Sequence, residues 1–453
     1  MSDVIAAHSG GALPAAIGIV RMSGEGCGKI LDRVFLPRCG KSADDRECAK
    51  LYYGKLLASN GEILDVCTAA FFKAPHSYTG EDMAEIYCHG SAAIVGAALD
   101  AICARGARHA EAGEFTRRAF LNGRLDLTEA EATADLIYST SELAAKTAAR
   151  QLSGSVSLEI RALRERVSAT LAHYYAVCDY TDEDIVPFDY LKAADVLTEV
   201  SNKLLSLYEG FKRGSAVKNG IKIAVIGRPN SGKSSLFNAL SGFERAIVTS
   251  APGTTRDVLE QEITCGGALF RLFDTAGIRD AENEAEAIGI ERSFDAAERA
   301  SGVICVFDGS ETLSDTDLRA AKAVPRDVPS CAVINKSDLT QVLSEKEVKA
   351  LGFGRVFTLS AKERSGLEPL LSWLESLIPD LSGTVVTSPR QAALLQSAAR
   401  SLFFSAEAAK NGMTADAFLS DAERALSDLG KITGETADAD IASEIFSRFC
   451  LGK

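Results

Sequence analysis

Gly227-Arg228-Pro229-Asn230-Ser231-Gly232-Lys233-Ser234 decides the fold of the middle of this chain. It fits GxxxxGK[ST], follows the apolar run Ile221–Ile226 and precedes Ser235–Leu240, which has helical character. Strand, glycine-rich turn and helix in that order gather backbone N–H groups at one point, where the helix N-terminus adds partial positive charge. Phosphates fit there. Asn230, Ser231, Gly232 and Ser235 supply the turn and the first helical N–H groups, Lys233 neutralises phosphate oxygens, and Ser234 offers a hydroxyl to Mg²⁺.

Working outward, the runs Val303–Phe307, Cys331–Ile334 and Val356–Leu359 alternate with helical segments to about Leu377, the signature of a parallel α/β sheet. Polar motifs sit at the ends of these runs. Asp274-Thr275-Ala276-Gly277 follows Leu269–Phe273, so Asp274 can hold Mg²⁺ through water while Gly277 leaves room for a γ-phosphate. Alone, DxxG is usually a turn; after a phosphate loop it gains meaning. Asn335-Lys336-Ser337-Asp338 follows the run Cys331–Ile334, and Asp338 can accept from the N1–H and exocyclic amine of guanine. Adenine has no such donor pair, so a carboxylate there selects GTP over ATP. Ser360-Ala361-Lys362 completes the expected base pocket.

Between the phosphate loop and DxxG lies Val248-Thr249-Ser250-Ala251-Pro252-Gly253-Thr254-Thr255-Arg256-Asp257, the expected switch loop, in which Thr249, Ser250, Thr254 and Thr255 are candidate nucleotide contacts. Ras-like GTPases place a water-positioning Gln directly after DxxG. Here that position is Ile278, so the group must come from elsewhere, and the acidic stretch Asp280 to Glu286 is the nearest source.

The flanks read differently. Residues 1–122 mix strand-like runs (Ala16–Val20, Ile63–Phe72, Ala84–Cys88) with glycine-rich turns and one Ala-rich helix, an α+β pattern. Helical periodicity then runs from Leu125 to about Gly214, opening with a capping box from Thr128 to Glu131, and returns after Pro379. The expected architecture is an α/β and α multidomain chain: an N-terminal α+β domain (1–122), a helical domain in two parts (123–217 and 381–453), and a Ras-like P-loop G domain (218–380) inserted between them.

Composition narrows the class. No Lys or Arg precedes Arg21, so the N-terminus lacks the basic flank of a signal peptide, and the longest apolar run, Ala92–Ala104, is broken by Asp100. A cytoplasmic protein without a membrane span is expected. Eleven cysteines without a CxxC pair argue against a disulfide framework and a zinc ribbon, and His76, Cys88 and His89 lack zinc spacing. A net charge of −13 disfavours broad phosphate-backbone binding, so a nucleic-acid partner needs local patches or a second protein.

Three features together resemble the tRNA modification GTPase MnmE (TrmE) family over the whole chain. They are the GRPNSGKS loop with its GTTRD switch, the segment Phe72-Lys73-Ala74-Pro75-His76-Ser77-Tyr78-Thr79-Gly80-Glu81-Asp82, and Cys450-Leu451-Gly452-Lys453. The resemblance implies a homodimer formed by an N-terminal domain that binds a formyl or methylene tetrahydrofolate derivative. It also implies GTP hydrolysis activated by K⁺ when two G domains meet. By motif, the K⁺ ligands would be Asn230, Thr249, Ala251 and Thr254, with Thr255 joining Ser234 on Mg²⁺ and Glu286 orienting the water. The folate residues would be Arg21, Glu81, Arg124 and Lys453. Arg124 stands where relatives often have Lys, and Leu451 departs from a common CIGK. Cys450 is a candidate catalytic thiol near the folate carbon.

The resemblance further implies that the chain acts with an FAD-dependent partner, MnmG (GidA), in a heterotetramer-type complex. Together they would add an aminomethyl or carboxymethylaminomethyl group at carbon 5 of the wobble uridine, U34, of tRNA. The residues agree with divided labour: there is no GxGxxG fingerprint, since Gly24-Glu25-Gly26-Cys27-Gly28 has the wrong spacing, so flavin chemistry would come from outside. Two rivals share the G domain. A regulatory GTPase on ribosomal RNA or a membrane would need neither the N-terminal domain nor the CLGK tail. A folate enzyme using GTP as an effector would turn over without tRNA.

Overall fold

The computed structural model describes residues 3–180, 186–241, 260–274, 300–436, 445–447, 449 and 452. They pack as two compact units: Met1–Ala134 with Gln151–Ser201 and Ser397–Lys453, and Asp135–Arg150 with Asn202–Gln396.

The first unit begins with strands β1 (Ile5–His8) and β2 (Ala15–Ser23), helix α1 (Cys27–Val34), and strands β3 (Phe35–Pro37), β4 (Tyr52–Leu57), β5 (Ile63–Phe72) and β6 (Met83–Gly90). Helix α2 (Ala92–Cys103), strand β7 (Arg108–His109) and helix α3 (Glu114–Leu121) follow. The strands form one sheet in the order β3-β4-β5-β6-β2-β1-β7, antiparallel except for β1 with β7. Alternation along the strands separates two faces. Val20, Met22, Leu56, Ala69 and Ile86 pack into one core with Leu31 and Val34 of α1 and Ala98 and Ile102 of α2, while Ile17, Tyr53 and Val66 stay exposed.

Long helices come next: α4 (Leu127–Ile137), α5 (Glu142–Leu152), α6 (Ser155–Asp179) and α7 (Tyr190–Asn219). The start of α4 corrects the sequence reading. Its cap is Asp126, whose Oδ1 accepts from the N–H groups of Thr128 and Glu129 at 3.0 Å each, while Glu129 Oε2 accepts from Asp126 N at 2.8 Å. The expected Thr128–Glu131 box lies two residues too late, because the Thr128 hydroxyl is spent on Asp126 and on Ser157 at 2.5 Å.

The second unit carries β8 (Ile221–Ile226), α8 (Lys233–Ser241), the hairpin β9 (Glu260–Cys265) and β10 (Ala268–Asp274), β11 (Gly302–Asp308), α9 (Asp315–Lys322), β12 (Ser330–Asn335), α10 (Glu345–Ala350), β13 (Val356–Thr358) and α11 (Glu368–Ser376). Its sheet runs β13-β12-β11-β8-β10-β9, parallel except for the hairpin. The continuous apolar runs are the strands buried on both faces: Ile223 and Val225 on one and Ile226 and Val303 on the other are all buried, each contributing about 1.5–3 kcal/mol by leaving water. Parallel β8, β11 and β12 deliver their C-terminal ends to one edge, where ligands bind in such sheets. Helices α12 (Pro389–Lys410) and α13 (Ala415–Thr433) follow, and α13 packs on α6. Among the described residues no helix is long and apolar enough to cross a membrane.

Candidate functional site

Beyond β8 the chain turns through Asn230, at φ 65°, and Gly232, at φ 94°, into α8. Asn tolerates the left-handed region better than most residues. Gly232 is required by contact as well, since a Cβ there would lie 2.1 Å from Asn335 Nδ2. Lys233 is buried, its Nζ donating to Gly227 O at 2.8 Å and Arg228 O at 2.9 Å, so the ammonium is held across the turn. Ser231 is wholly buried and its Oγ has no hydrogen-bond partner among the described residues, an orphaned hydroxyl inside the turn. Ser234 and Ser235 are exposed at the start of α8.

Asn335, at the end of β12, joins three segments. Its Nδ2 donates to Ser231 O at 3.1 Å and its Oδ1 accepts from Ala361 N at 3.0 Å. Phosphate turn, NKSD loop and Ser360–Lys362 loop are thus tied by one buried carboxamide. Ser360 Oγ donates to Asp338 Oδ1 at 2.5 Å, and this bond, ahead of the charges of Lys362 and Lys336, holds the Asp338 carboxyl below the usual range. Asp338 is exposed and ionised, ready to accept from a ligand. Lys336 stands at φ 65°, and Lys362 is exposed.

One residue that sequence reasoning missed lies among these. Asp308, ending β11, accepts from Lys336 Nζ at 2.6 Å. Its signal was available: a lone carboxylate closing an otherwise apolar strand, Gly302-Val303-Ile304-Cys305-Val306-Phe307-Asp308.

In the first unit, Arg21 on β2 forms an ion pair with Glu85 at 2.8 Å and lies 5.6 Å from the Tyr78 ring and 5.7 Å from the Phe115 ring. Burial, followed by the Glu85 hydrogen bond, pushes the Tyr87 phenol up to about 12. Glu81 Oε2 accepts from Ser23 Oγ at 2.8 Å and pairs with Arg118 at 3.0 Å, while Oε1 has no hydrogen-bond partner among the described residues. The stem of Arg124 borders Gly80, in the same 77–82 segment as Tyr78 and Glu81. Arg118 was also missed, because on α3 it reads as a surface charge; it is buried, held by Asp3 at 2.8 Å and Glu114 at 3.1 Å. Near the C-terminus, Gly452 O accepts from Ser9 Oγ at 2.7 Å.

A family model described as the MnmE helical domain matches residues 127–450, and one described as the GTP-binding protein TrmE N-terminus matches residues 4–124. Proteins described as tRNA modification GTPase MnmE align along their full length: that of Finegoldia magna at 40% identity, of Carboxydothermus hydrogenoformans at 39% and of Clostridioides difficile at 37%, each covering 100% of both chains. The chain belongs to the MnmE family.

As a member of the MnmE family the chain is a GTPase. Several expected site residues lie outside the described ones: Thr249, Ser250, Ala251, Thr254 and Thr255 of the switch loop, Thr275, Ala276 and Gly277 of DxxG, Glu286, Cys450 and Lys453. Asp274 ends β10, and its side chain is also outside them.

Proposed function

We propose that this MnmE-family chain hydrolyses GTP at the C-terminal edge of the six-stranded sheet and couples that hydrolysis to modification of tRNA at carbon 5 of U34. The observation that carries the reading is the Asn335 tie: three segments with the chemistry of phosphate loop, guanine pocket and pocket wall converge through one buried side chain.

The residues fit the phosphates and a divalent ion. Ser231 leaves a buried hydroxyl without a partner among the described residues, Lys233 is already held at the turn, and Ser234 is exposed, its hydroxyl suited to hold Mg²⁺ with Thr255 as the second candidate ligand. Mg²⁺, when bound, neutralises phosphate charge. The Asn230 carboxamide is exposed and has no hydrogen bond among the described residues, so it is free to help hold K⁺ with Thr249, Ala251 and Thr254. K⁺ held there would supply positive charge against the negative charge that builds up on the phosphate oxygens in the transition state. Lys233 steadies the phosphate oxygens, Asp338 selects the base, and Glu286 orients the attacking water.

The first unit supplies the second half of the reaction. A folate derivative fits the open Glu81 Oε1, which can accept from an amide and amino edge while Arg118 fixes the other oxygen. Such a donor carries the one-carbon group. Arg21, Arg124 and Lys453 suit its carbonyl and carboxylate groups, and Cys450 is the candidate thiol for the transferred carbon. The exposed Ile17, Tyr53 and Val66 on the open sheet face suit a homodimer contact. The flavoprotein MnmG supplies the redox step and tRNA is the substrate; both act in the cytoplasm.

Reconstitution tests this. Purified chain, flavoprotein, tRNA, GTP and a folate donor should modify U34 in KCl, and replacing K⁺ by Na⁺ should slow GTP hydrolysis by about tenfold or more. Modification that proceeds without GTP would remove the coupling, and equal hydrolysis rates in the two salts would remove the cation site.

A further inference from the structure

Asp308 lies where two loops of the nucleotide site meet. Its side chain is 3% exposed and terminates β11, the strand between β8, which leads to the phosphate turn, and β12, which leads to the NKSD loop. Two cations converge on one of its oxygens: Lys336 Nζ stands 2.6 Å from Oδ2 and Arg228 Nη2 stands 3.6 Å from the same atom. The other oxygen accepts from Ser310 N at 3.0 Å and Ser310 Oγ at 2.6 Å. The backbone repeats the connection, because Gly309 N donates to Asn335 O at 2.9 Å.

This arrangement is more than a surface ion pair. A carboxylate so buried needs its partners, and removing one would leave an unpaired charge out of water. Lys336 holds a left-handed backbone, a strained conformation for a side-chain-bearing residue that is kept only where surrounding bonds fix it. Arg228 Nη2 also pairs with Glu311 at 2.7 Å, and its Nε lies 3.6 Å from the buried Asp317 carboxylate. Without Asp308, Arg228 would keep Glu311 and Asp317, whereas Lys336 would lose its carboxylate partner and be free to swing from the base pocket into solvent.

We propose that Asp308 is a positioning residue of the nucleotide site, a single buried carboxylate that fixes Lys336 of the base loop against Arg228 of the phosphate turn, so that both loops meet the guanine nucleotide as one preformed surface. The proposal rests on the reading of Asn335–Asp338 as the guanine pocket. Asp308 itself touches no nucleotide; it acts through Lys336. Its contribution is therefore to binding, and it makes no demand on the hydrolytic step.

A double-mutant cycle separates this from a merely structural role. In the full-length chain, Asp308→Asn keeps the acceptor for Ser310 and removes the charge, while Lys336→Met keeps the stem and removes the ammonium. Each should weaken GTP and GDP binding by about five- to tenfold in a fluorescent-nucleotide titration, with kcat at saturating GTP changed by less than about twofold. The double variant should bind no more than about twofold worse than Lys336→Met alone, because the anchor has nothing left to hold. Losses that multiply, or unchanged affinity in Asp308→Asn, would overturn the proposal. Unchanged affinity in Lys336→Met would instead overturn the guanine-pocket reading beneath it. Should Asp308→Asn lose its cooperative melting transition, Arg228→Gln combined with Lys336→Met carries the test: sharing one carboxylate predicts non-additive losses, and additive losses contradict it.

Discussion

Asp338→Asn is expected to weaken GTP binding by on the order of a hundredfold, since two hydrogen bonds to a charged acceptor are lost or inverted. The carboxylate is accessible and ionised because Ser360 Oγ donates to Oδ1 at 2.5 Å and holds its proton affinity down. Both oxygens can therefore only accept, which matches the N1–H and amino edge of guanine. Asparagine presents one acceptor and one donor. A base with a carbonyl in place of the exocyclic amine fits that pair, so the variant should gain affinity for xanthosine triphosphate as it loses GTP. The Ser360 bond can be kept by the carboxamide oxygen, so the melting temperature should not fall. Competition titrations with both nucleotides check this. Equal affinity for GTP in wild type and variant would place the base elsewhere.

Removing Cys450 to Lys453 is expected to abolish tRNA modification while GTP hydrolysis stays within about twofold of wild type. The candidate nucleotide residues lie between Gly227 and Lys362, in the second unit, and the tail belongs to the first. The truncation also spares the packing beneath it. Phe446 and Phe449 are buried against Leu127, Ala130 and Phe120, and neither is removed. Among the removed residues Gly452 is pinned: Ser9 donates to Gly452 O at 2.7 Å, and Gly452 stands at φ 91°, where a Cβ would lie 2.1 Å from His8 O. Gly452→Ala should therefore reproduce part of the loss. Nucleoside analysis alongside phosphate release reads both outcomes, and a truncated chain that still modifies tRNA would remove Cys450 and Lys453 from the reaction.

The parallel strands were legible because strands buried on both faces read as unbroken apolar runs, and the motifs at their ends name the chemistry. Hairpin β9–β10 was half hidden, since Glu260-Gln261-Glu262 carries no apolar signal; the Gly266-Gly267 pair, at φ 56° and 76°, was its cue. In the first unit β3 spans three residues and β4 carries Gly54 and Lys55, too short and too mixed for a period-two pattern. The candidate site followed the same division. Residues in contiguous motifs could be named in advance, whereas Asp308, Arg118 and the Asn335 tie depend on side chains meeting across 28, 37 and 104 positions of chain. Spacing along the sequence carries no trace of such contacts.

The most direct test of the whole account is nucleoside analysis of bulk tRNA from a strain lacking this gene, complemented with the wild-type chain or with Lys233→Ala. The account predicts that the C5 modification of U34 is lost in the deletion, returns with the wild type, and does not return with Lys233→Ala, whose phosphate turn lacks its cation. U34 that still carries its C5 modification in the deletion strain, or full restoration by Lys233→Ala, would contradict it.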